Sequence, residues 1–139
     1  MHTITNMTKK KSIRADLETA DTGFKKVRGL MFRDEIVPIL FVFGYDGIFS
    51  IHSYFVKKEF DAVYLAADGE VTEIFRRIPP NTALVSPKKK SSFLLELPVK
   101  ITDALCIEAG DVLKWKEMPV DRHRLHRNRS SDPKRLGER

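Results

Sequence analysis

Two polar residues stand in an otherwise largely apolar part of the chain, the histidine and the aspartate of SIHSYFVKKEFDAVYL at residues 50–65. If SIHSYF forms a strand, His52 and Tyr54 share one face and stand side by side. Asp61 lies between two apolar residues of the next predicted strand, where a carboxylate is costly to bury unless it is paired or hydrogen-bonded. A histidine and a carboxylate can form an acid–base pair or hydrogen-bond a small ligand.

Two arginines, Arg28 and Arg33, flank the apolar sequence GLMF. Burial of those apolar residues brings both guanidinium groups near the domain surface, where they can bind a carboxylate or a phosphate bidentately. The same groups can pair internally with Asp61, and a loop amide is a third candidate partner for that carboxylate. We therefore predict a ligand-binding site at Arg28, Arg33, His52, Tyr54 and Asp61, with a purely structural role for Asp61 as the alternative.

The sequence contains few other groups that could support catalysis. It has no G-x-S-x-G, no glycine-rich phosphate loop and no H-E-x-x-H. His123 and His126 lie among arginines, which repel a cation. Cys106 is the single cysteine, which excludes an intramolecular disulfide, and its apolar neighbours in ALCIEA predict a buried, unreactive side chain. We predict no catalytic residue, no metal and no cofactor, and an enzyme is the least favoured function.

The length of 139 residues, of which 42% are hydrophobic, suits one domain. The net charge of +6 is uneven, because residues 121–139 carry seven Lys and Arg against three Asp and Glu. That segment has only Leu125 and Leu136 as large apolar residues and cannot offset its ordering entropy by burial. We predict a single β-domain at 1–117 and a basic, disordered tail at 118–139.

Short β-type runs separated by turn signals predict the elements that must position these residues. The Asp68-Gly69 pair predicts a tight hairpin turn. ADTGFKKVRGL predicts a short helix that Asp21 or Thr22 caps and Gly29 ends, and ITDALCIEAG one helical turn. The predicted strands lie in SIRADLETA, PILFVFG, GIFSIHSYF, EFDAVYLA, EVTEIFRRI, the hairpin of TALVS with SSFLLELP, and DVLKWKE.

These elements predict a mainly β fold, a compact antiparallel β-barrel or β-sandwich of about seven or eight strands with one or two short helices. The lysine runs at residues 9–11 and 88–90 fall in predicted hairpin loops, where lysines are usually solvated.

Four blocks carry a resemblance to a known family, over about residues 20–113. In order and spacing, the chain resembles the family called domain of unknown function 192, through RGLMFRDEI, LFVF, SIHSYFVKKEFDAVYLAADGEV and LLELPVKITDALCIEAGDVL. The resemblance implies a small, mostly β barrel or sandwich with a short helix near its beginning, and no established activity or cofactor. The chain departs from the family pattern at three places. Lys58-Glu59 stands where the family usually has an apolar residue and a proline, and Leu65-Ala66 stands where it often has Leu-Asp. Lys100 and Cys106 lie where the family tends to have glycine.

Two functions of different classes follow. The first is a non-enzymatic binding module for a small anionic ligand or a peptide, which requires His52, Asp61 and an arginine to meet at one concave opening. The alternative is an accessory nucleic-acid binder that uses the basic loops and the tail, which requires the basic segments on one face.

The longest apolar run, IVPILFVFG, is too short to cross a bilayer, and the N-terminal residues lack the features of a secretory signal. We expect a soluble, cytoplasmic monomer that contacts no membrane. Its expected partner is a small anionic ligand or another protein, and nucleic acid should bind only weakly, through the tail.

Overall fold

A computed structural model describes residues 1–20 and 29–118. Within these residues the chain forms eight strands and one short helix. They are β1 (His2–Asn6), β2 (Lys11–Ala15), β3 (Glu18–Ala20), β4 (Ile39–Gly47), β5 (Phe60–Leu65), β6 (Val71–Ile78), β7 (Ser91–Leu97), α1 (Val99–Ala104) and β8 (Leu113–Glu117).

The strands form two sheets rather than a closed barrel. The smaller sheet has the order β2-β1-β8 and the larger has the order β3-β4-β7-β5-β6. All pairs are antiparallel except β3 with β4, which run parallel. The predicted mainly β fold is confirmed, and of its two forms the structure is the sandwich. In the described part of the chain, no helix has the length and apolar character needed to cross a membrane.

The larger sheet is buried on both faces, which gives the molecule two cores. One core lies between this sheet, the smaller sheet and α1, and contains Ile4, Val63, Leu95 and Ile101. The other lies on the opposite face under residues 30–37 and 49–56, and contains Phe41, Leu94 and Tyr64. Every residue of β5 is buried as a result, which explains why FDAVYL is apolar at almost every position.

Several predicted turns and elements are confirmed. The Asp68-Gly69 pair joins β5 to β6, and Gly69 adopts φ +91. A side chain there would place its Cβ 2.4 Å from the Leu113 carbonyl oxygen, so the position requires glycine. The first lysine run lies at the turn between β1 and β2 and reaches the first residue of β2. The helix α1 begins two residues before ITDALCIEAG and ends within it, and DVLKWKE supplies β8.

Two predicted strands and one predicted pairing are wrong. SIRADLETA divides into β2 and β3, which belong to different sheets. GIFSIHSYF does not form the predicted strand, because beyond the end of β4 it makes only one isolated bridge, from Ile51 to Val85. TALVS therefore pairs with that segment and not with SSFLLELP, which lies between β4 and β5 as β7. Alternating apolar residues predict which face of a strand is buried, but they do not predict its partner strand, because the partner depends on long-range packing.

Cys106 is exposed, so its predicted burial is wrong. The chain turns there with φ +52 just after α1, while Leu105 and Ile107 on either side are buried. The predicted helix before Gly29, Arg28 and the predicted disorder of the tail lie outside the described residues.

Candidate functional site

Arg33 binds a carboxylate of the chain itself. Its Nη1 and Nη2 donate to Glu18 Oε1 and Oε2 at 2.8 and 2.6 Å, and its Nε donates to the Gly29 carbonyl oxygen at 3.0 Å. The guanidinium group thus links β3 to the backbone of Gly29. Its partner is Glu18, and Asp61, the internal partner considered from the sequence, is bound elsewhere.

Asp61 is 1% exposed and lies at a β-bulge. Its neighbours Phe60 and Ala62 pair with Ile78 and Phe75, so two residues of β6 lie opposite one residue of β5. Asp61 Oδ1 accepts a hydrogen bond from the backbone N–H of Arg77 at 2.6 Å. The sequence suggested an arginine or a backbone amide as the partner of Asp61, and the structure shows a backbone amide.

His52 and Tyr54 are neighbours, but a turn rather than a strand brings them together. His52 Nδ1 accepts a hydrogen bond from the Tyr54 backbone N–H at 3.1 Å, and the ring centroids lie 5.1 Å apart. Both side chains are exposed. His52 lines a cavity, whereas Arg33, Tyr54 and Asp61 are not among the residues around it. The described residues therefore do not bring the predicted set to one opening.

The cavity has a volume of about 510 Å³ and lies over β4 and β7. Alternate residues of β4 supply Phe41, Phe43 and Tyr45, because side chains two apart on a strand share a face. β7 supplies Leu94 and Glu96 in the same way. Residues 29–31, 48–52 and Val56 form its other sides.

Aromatic contacts hold one wall of the cavity in place. The rings of Phe43 and Phe49 are stacked with centroids 3.7 Å apart, and Tyr45 meets Phe49 edge-on at 5.3 Å. The Phe49 carbonyl oxygen accepts a 2.6 Å hydrogen bond from the Tyr64 hydroxyl group. Burial raises the pKa of Tyr64, so this hydroxyl stays a donor and fixes the backbone of the loop.

Glu96 supplies the buried carboxyl group of the cavity. It is 5% exposed and pairs with Ile39 on one side and Ala62 on the other. None of the hydrogen bonds among residues 1–20 and 29–118 reaches its carboxyl oxygens. Burial raises its pKa to about 8. The group is therefore largely protonated at neutral pH and can donate a hydrogen bond or, after ionisation, hold a cation.

Glu96 was missed by the sequence analysis, although the sequence carried a signal for it. In SSFLLELP it is the single charged residue of a strand whose other residues become increasingly apolar. A charged residue in the middle of a central strand predicts either a buried partner or a site. In the described part of the chain, no cluster of three or more His, Cys, Asp or Glu is arranged to hold a metal ion.

The fold is similar to two solved structures. One is a protein of Sinorhizobium meliloti described as a "putative transcription regulator", with a TM-score of 0.74, 20% identity, and coverage of 82% of this chain and 91% of that one. The other is a protein of unknown function from Novosphingobium aromaticivorans, with a TM-score of 0.68, 20% identity, and coverage of 82% and 83%. At this identity the likeness shows the fold alone.

Similar sequences are UPF0127 proteins of archaea. The chain is 32% identical over 115 residues to one of Pyrococcus furiosus, covering 81% of this chain and 97% of the relative. It is 31% identical over 114 residues to one of Thermococcus sibiricus, covering 80% and 73%. The sequence profile of domain of unknown function 192, described as an uncharacterized ACR, matches residues 4–115. The chain therefore belongs to the domain of unknown function 192 family.

Proposed function

We propose that the protein is a non-enzymatic binding module whose ligand enters the cavity over β4 and β7. One observation carries the proposal. The Glu96 carboxyl group is buried at an aromatic-lined cavity, and no described residue hydrogen-bonds it. Buried polar groups are nearly always hydrogen-bonded, so a carboxyl group in this position is suited to a ligand. Small-molecule sites commonly combine an apolar lining with a few convergent polar groups.

The described lining argues for an apolar ligand that is neutral or cationic. It includes Glu96 and several aromatic rings but no Lys or Arg from residues 1–20 or 29–118. Arg33, which is bound to Glu18, is not positioned to receive an anion in the cavity. The small anionic ligand or peptide expected from the arginines stays a prediction, with Arg28 as its remaining candidate.

The test is an NMR titration of the isotope-labelled protein with aromatic probes of one size, namely 2-phenylethanol, 2-phenylethylamine and 3-phenylpropionate. We expect at least one probe to shift the amide signals of residues 41–52 and 94–96 in a saturable manner. If none binds at millimolar concentration, or if the shifts scatter over the surface, the proposed function is wrong.

A matched pair of variants locates the binding. Ile48 lines the cavity and is 54% exposed, whereas Leu84 is 65% exposed and is not part of the lining. The substitution Ile48→Trp places an indole ring at the opening and should weaken probe binding, while Leu84→Trp should leave it unchanged. Equal effects of the two variants would remove the cavity as the binding site.

Nucleic-acid binding remains the second candidate, favoured by the basic loops. Local acidic groups weaken it. Lys9 Nζ donates to Asp111 Oδ2 at 2.8 Å, and the Glu73 carboxylate accepts the backbone N–H groups of Lys88 and Lys89. Both lysine runs therefore have a carboxylate beside them, which lowers the local positive potential that a phosphate would meet.

A further inference from the structure

The proposed binding cavity has a polarity that selects among ligand classes. Resting on that proposed function, we propose that the cavity binds an organic ammonium ion, with its N–H groups on Glu96 and its apolar body against the aromatic wall. The ligand class is an amine joined to a hydrocarbon or aromatic group small enough for about 510 Å³.

The Glu96 carboxylate is complementary to an ammonium group. Glu96 offers acceptor oxygens that no described donor uses, and its neighbours Ile39, Ala62 and Leu94 are apolar. An ammonium group has three donors and no acceptor, so it satisfies an ionised carboxylate directly. A buried carboxylate is costly unless a cation pairs with it, and a ligand cation removes that cost.

The aromatic wall of the cavity also favours a cationic ligand. Phe43 and Phe49 are stacked and Tyr45 packs edge-on against Phe49, all beside the cavity. Aromatic faces carry negative potential and attract cations, most strongly where water is excluded. A methyl group added at Gly29 would lie 3.1 Å from Phe41 Cζ and 3.5 Å from Glu96 Oε1. The carboxyl group and an aromatic ring therefore border the same small space.

An anionic ligand does not fit the cavity, because the described lining contains no Lys or Arg. The titratable side chains other than Glu96 that line the cavity are Tyr45 and His52, and Glu96 acts on the nearby Tyr64. Burial raises the pKa of Tyr64, which keeps its hydroxyl group uncharged. His52 Nδ1 accepts the hydrogen bond of the Tyr54 backbone N–H, so this nitrogen offers no donor to an anion. An anion would meet a carboxyl group and π-faces without a fixed described cation.

The proposal makes binding depend on pH in a defined direction. The pKa of Glu96 is raised to about 8, so an ammonium ligand must displace its proton below that pH. Since one proton is exchanged per ligand, affinity should rise about tenfold per pH unit below pH 8 and level off above it. A neutral probe that hydrogen-bonds the protonated carboxyl group should bind with nearly constant affinity below pH 8 and more weakly above it.

The experiment compares the three matched probes on the full chain by NMR titration at pH 6, 7 and 8. We expect 2-phenylethylamine to bind at least tenfold more tightly than 2-phenylethanol at pH 8, and its affinity to rise with pH. Equal affinity for the alcohol, tighter binding of 3-phenylpropionate, or a flat pH dependence would overturn the ammonium assignment while leaving the cavity as a site. Binding of no probe would instead overturn the proposed function itself.

A conservative variant isolates the carboxylate. Glu96→Gln keeps the side-chain volume and should lower the affinity for 2-phenylethylamine to that for the alcohol, with alcohol binding unchanged. Glu70→Gln, at an exposed glutamate, is the control and should change neither. Retained tight, pH-dependent amine binding by Glu96→Gln would overturn the assignment. If that variant does not fold, the pH dependence of the unaltered protein decides.

Discussion

Asp61 Oδ1 lies 2.6 Å from the backbone nitrogen of Arg77, so a buried carboxylate closes the bulge in the neighbouring strand. Arg77 adopts φ +52, a left-handed conformation that is unfavourable for a side chain of its size. The hydrogen bond compensates for that conformation and gives the buried Asp61 oxygen a donor. Asp61 is therefore part of the structure of β5 and β6.

Replacing Asp61 with alanine should lower the free energy of unfolding by about 1–3 kcal/mol, because the Arg77 N–H loses its partner. Asp61→Asn keeps an acceptor oxygen and should cost less. Urea unfolding of both variants measures the difference. A loss below about 0.5 kcal/mol for the alanine variant would show that the hydrogen bond is not needed.

Glu96 should make the protein less stable as pH rises. Its folded pKa of about 8 lies above the ordinary value of 4.5, so the folded state holds the proton more tightly than the unfolded state does. The stabilisation is present below pH 4.5 and is lost between that pH and pH 8, at up to about 1.4 kcal/mol per pH unit.

Urea unfolding of Glu96→Gln at several pH values checks this dependence. The variant has no proton to lose, so this part of the pH dependence should disappear, whereas Glu70→Gln should retain it. An identical slope in all three proteins would contradict the burial of an unpaired carboxyl group at Glu96.

Asn6 should be essential for the junction between β1 and the segment after α1. It is fully buried, and its Nδ2 donates to the Leu105 carbonyl oxygen and to Asp111 Oδ2, both at 2.9 Å. Asn6→Ala leaves both acceptors without this donor and should cost about 1–3 kcal/mol in urea unfolding. Thr5→Ala removes an exposed hydrogen bond to Ser12 and serves as the control, with an expected loss of about 0.5 kcal/mol or less.

The same junction should weaken in acid. Burial alone would raise the pKa of Asp111, but hydrogen bonds from Lys9 and Asn6 outweigh it and hold the pKa below the ordinary 3.8. The stabilisation is thus present above pH 3.8 and is lost as pH falls through the lower folded pKa. Acid unfolding of Asp111→Asn measures it, since that variant should lack this component of the pH dependence.

Nucleic-acid affinity should depend on the basic residues after Val120. Each phosphate contact releases counterions, so the log–log dependence of affinity on salt falls by about 0.9 per contact with duplex DNA. We expect the protein truncated after Val120 to show no measurable affinity at physiological salt, and the full chain to bind weakly and without sequence preference. Micromolar binding by the truncated protein, with a slope that indicates several contacts, would favour the lysine loops as a site.

The local sequence determined the features whose cause is local. Alternating and continuous apolar runs predicted the β-class and most strands, the Asp68-Gly69 pair predicted its hairpin, and the apolar flanks of Asp61 predicted a buried carboxylate with a partner. Four sequence blocks also indicated the family, which the profile match over residues 4–115 confirms. Each of these features depends on residues that are close in the chain, so the residue types and their spacing predict it directly.

The tertiary structure alone decided which strands pair and what each polar group meets. β7 lies between β4 and β5, although β6 separates it from both of them along the chain. Its charged residue, Glu96, becomes part of a cavity only because residues 29–31 and 48–52 pack over that face. Arg33 meets Glu18 rather than Asp61 because the parallel pairing of β3 with β4 places Glu18 within its reach. Partners of this kind depend on long-range packing free energy summed over the whole core, which no single segment of sequence contains.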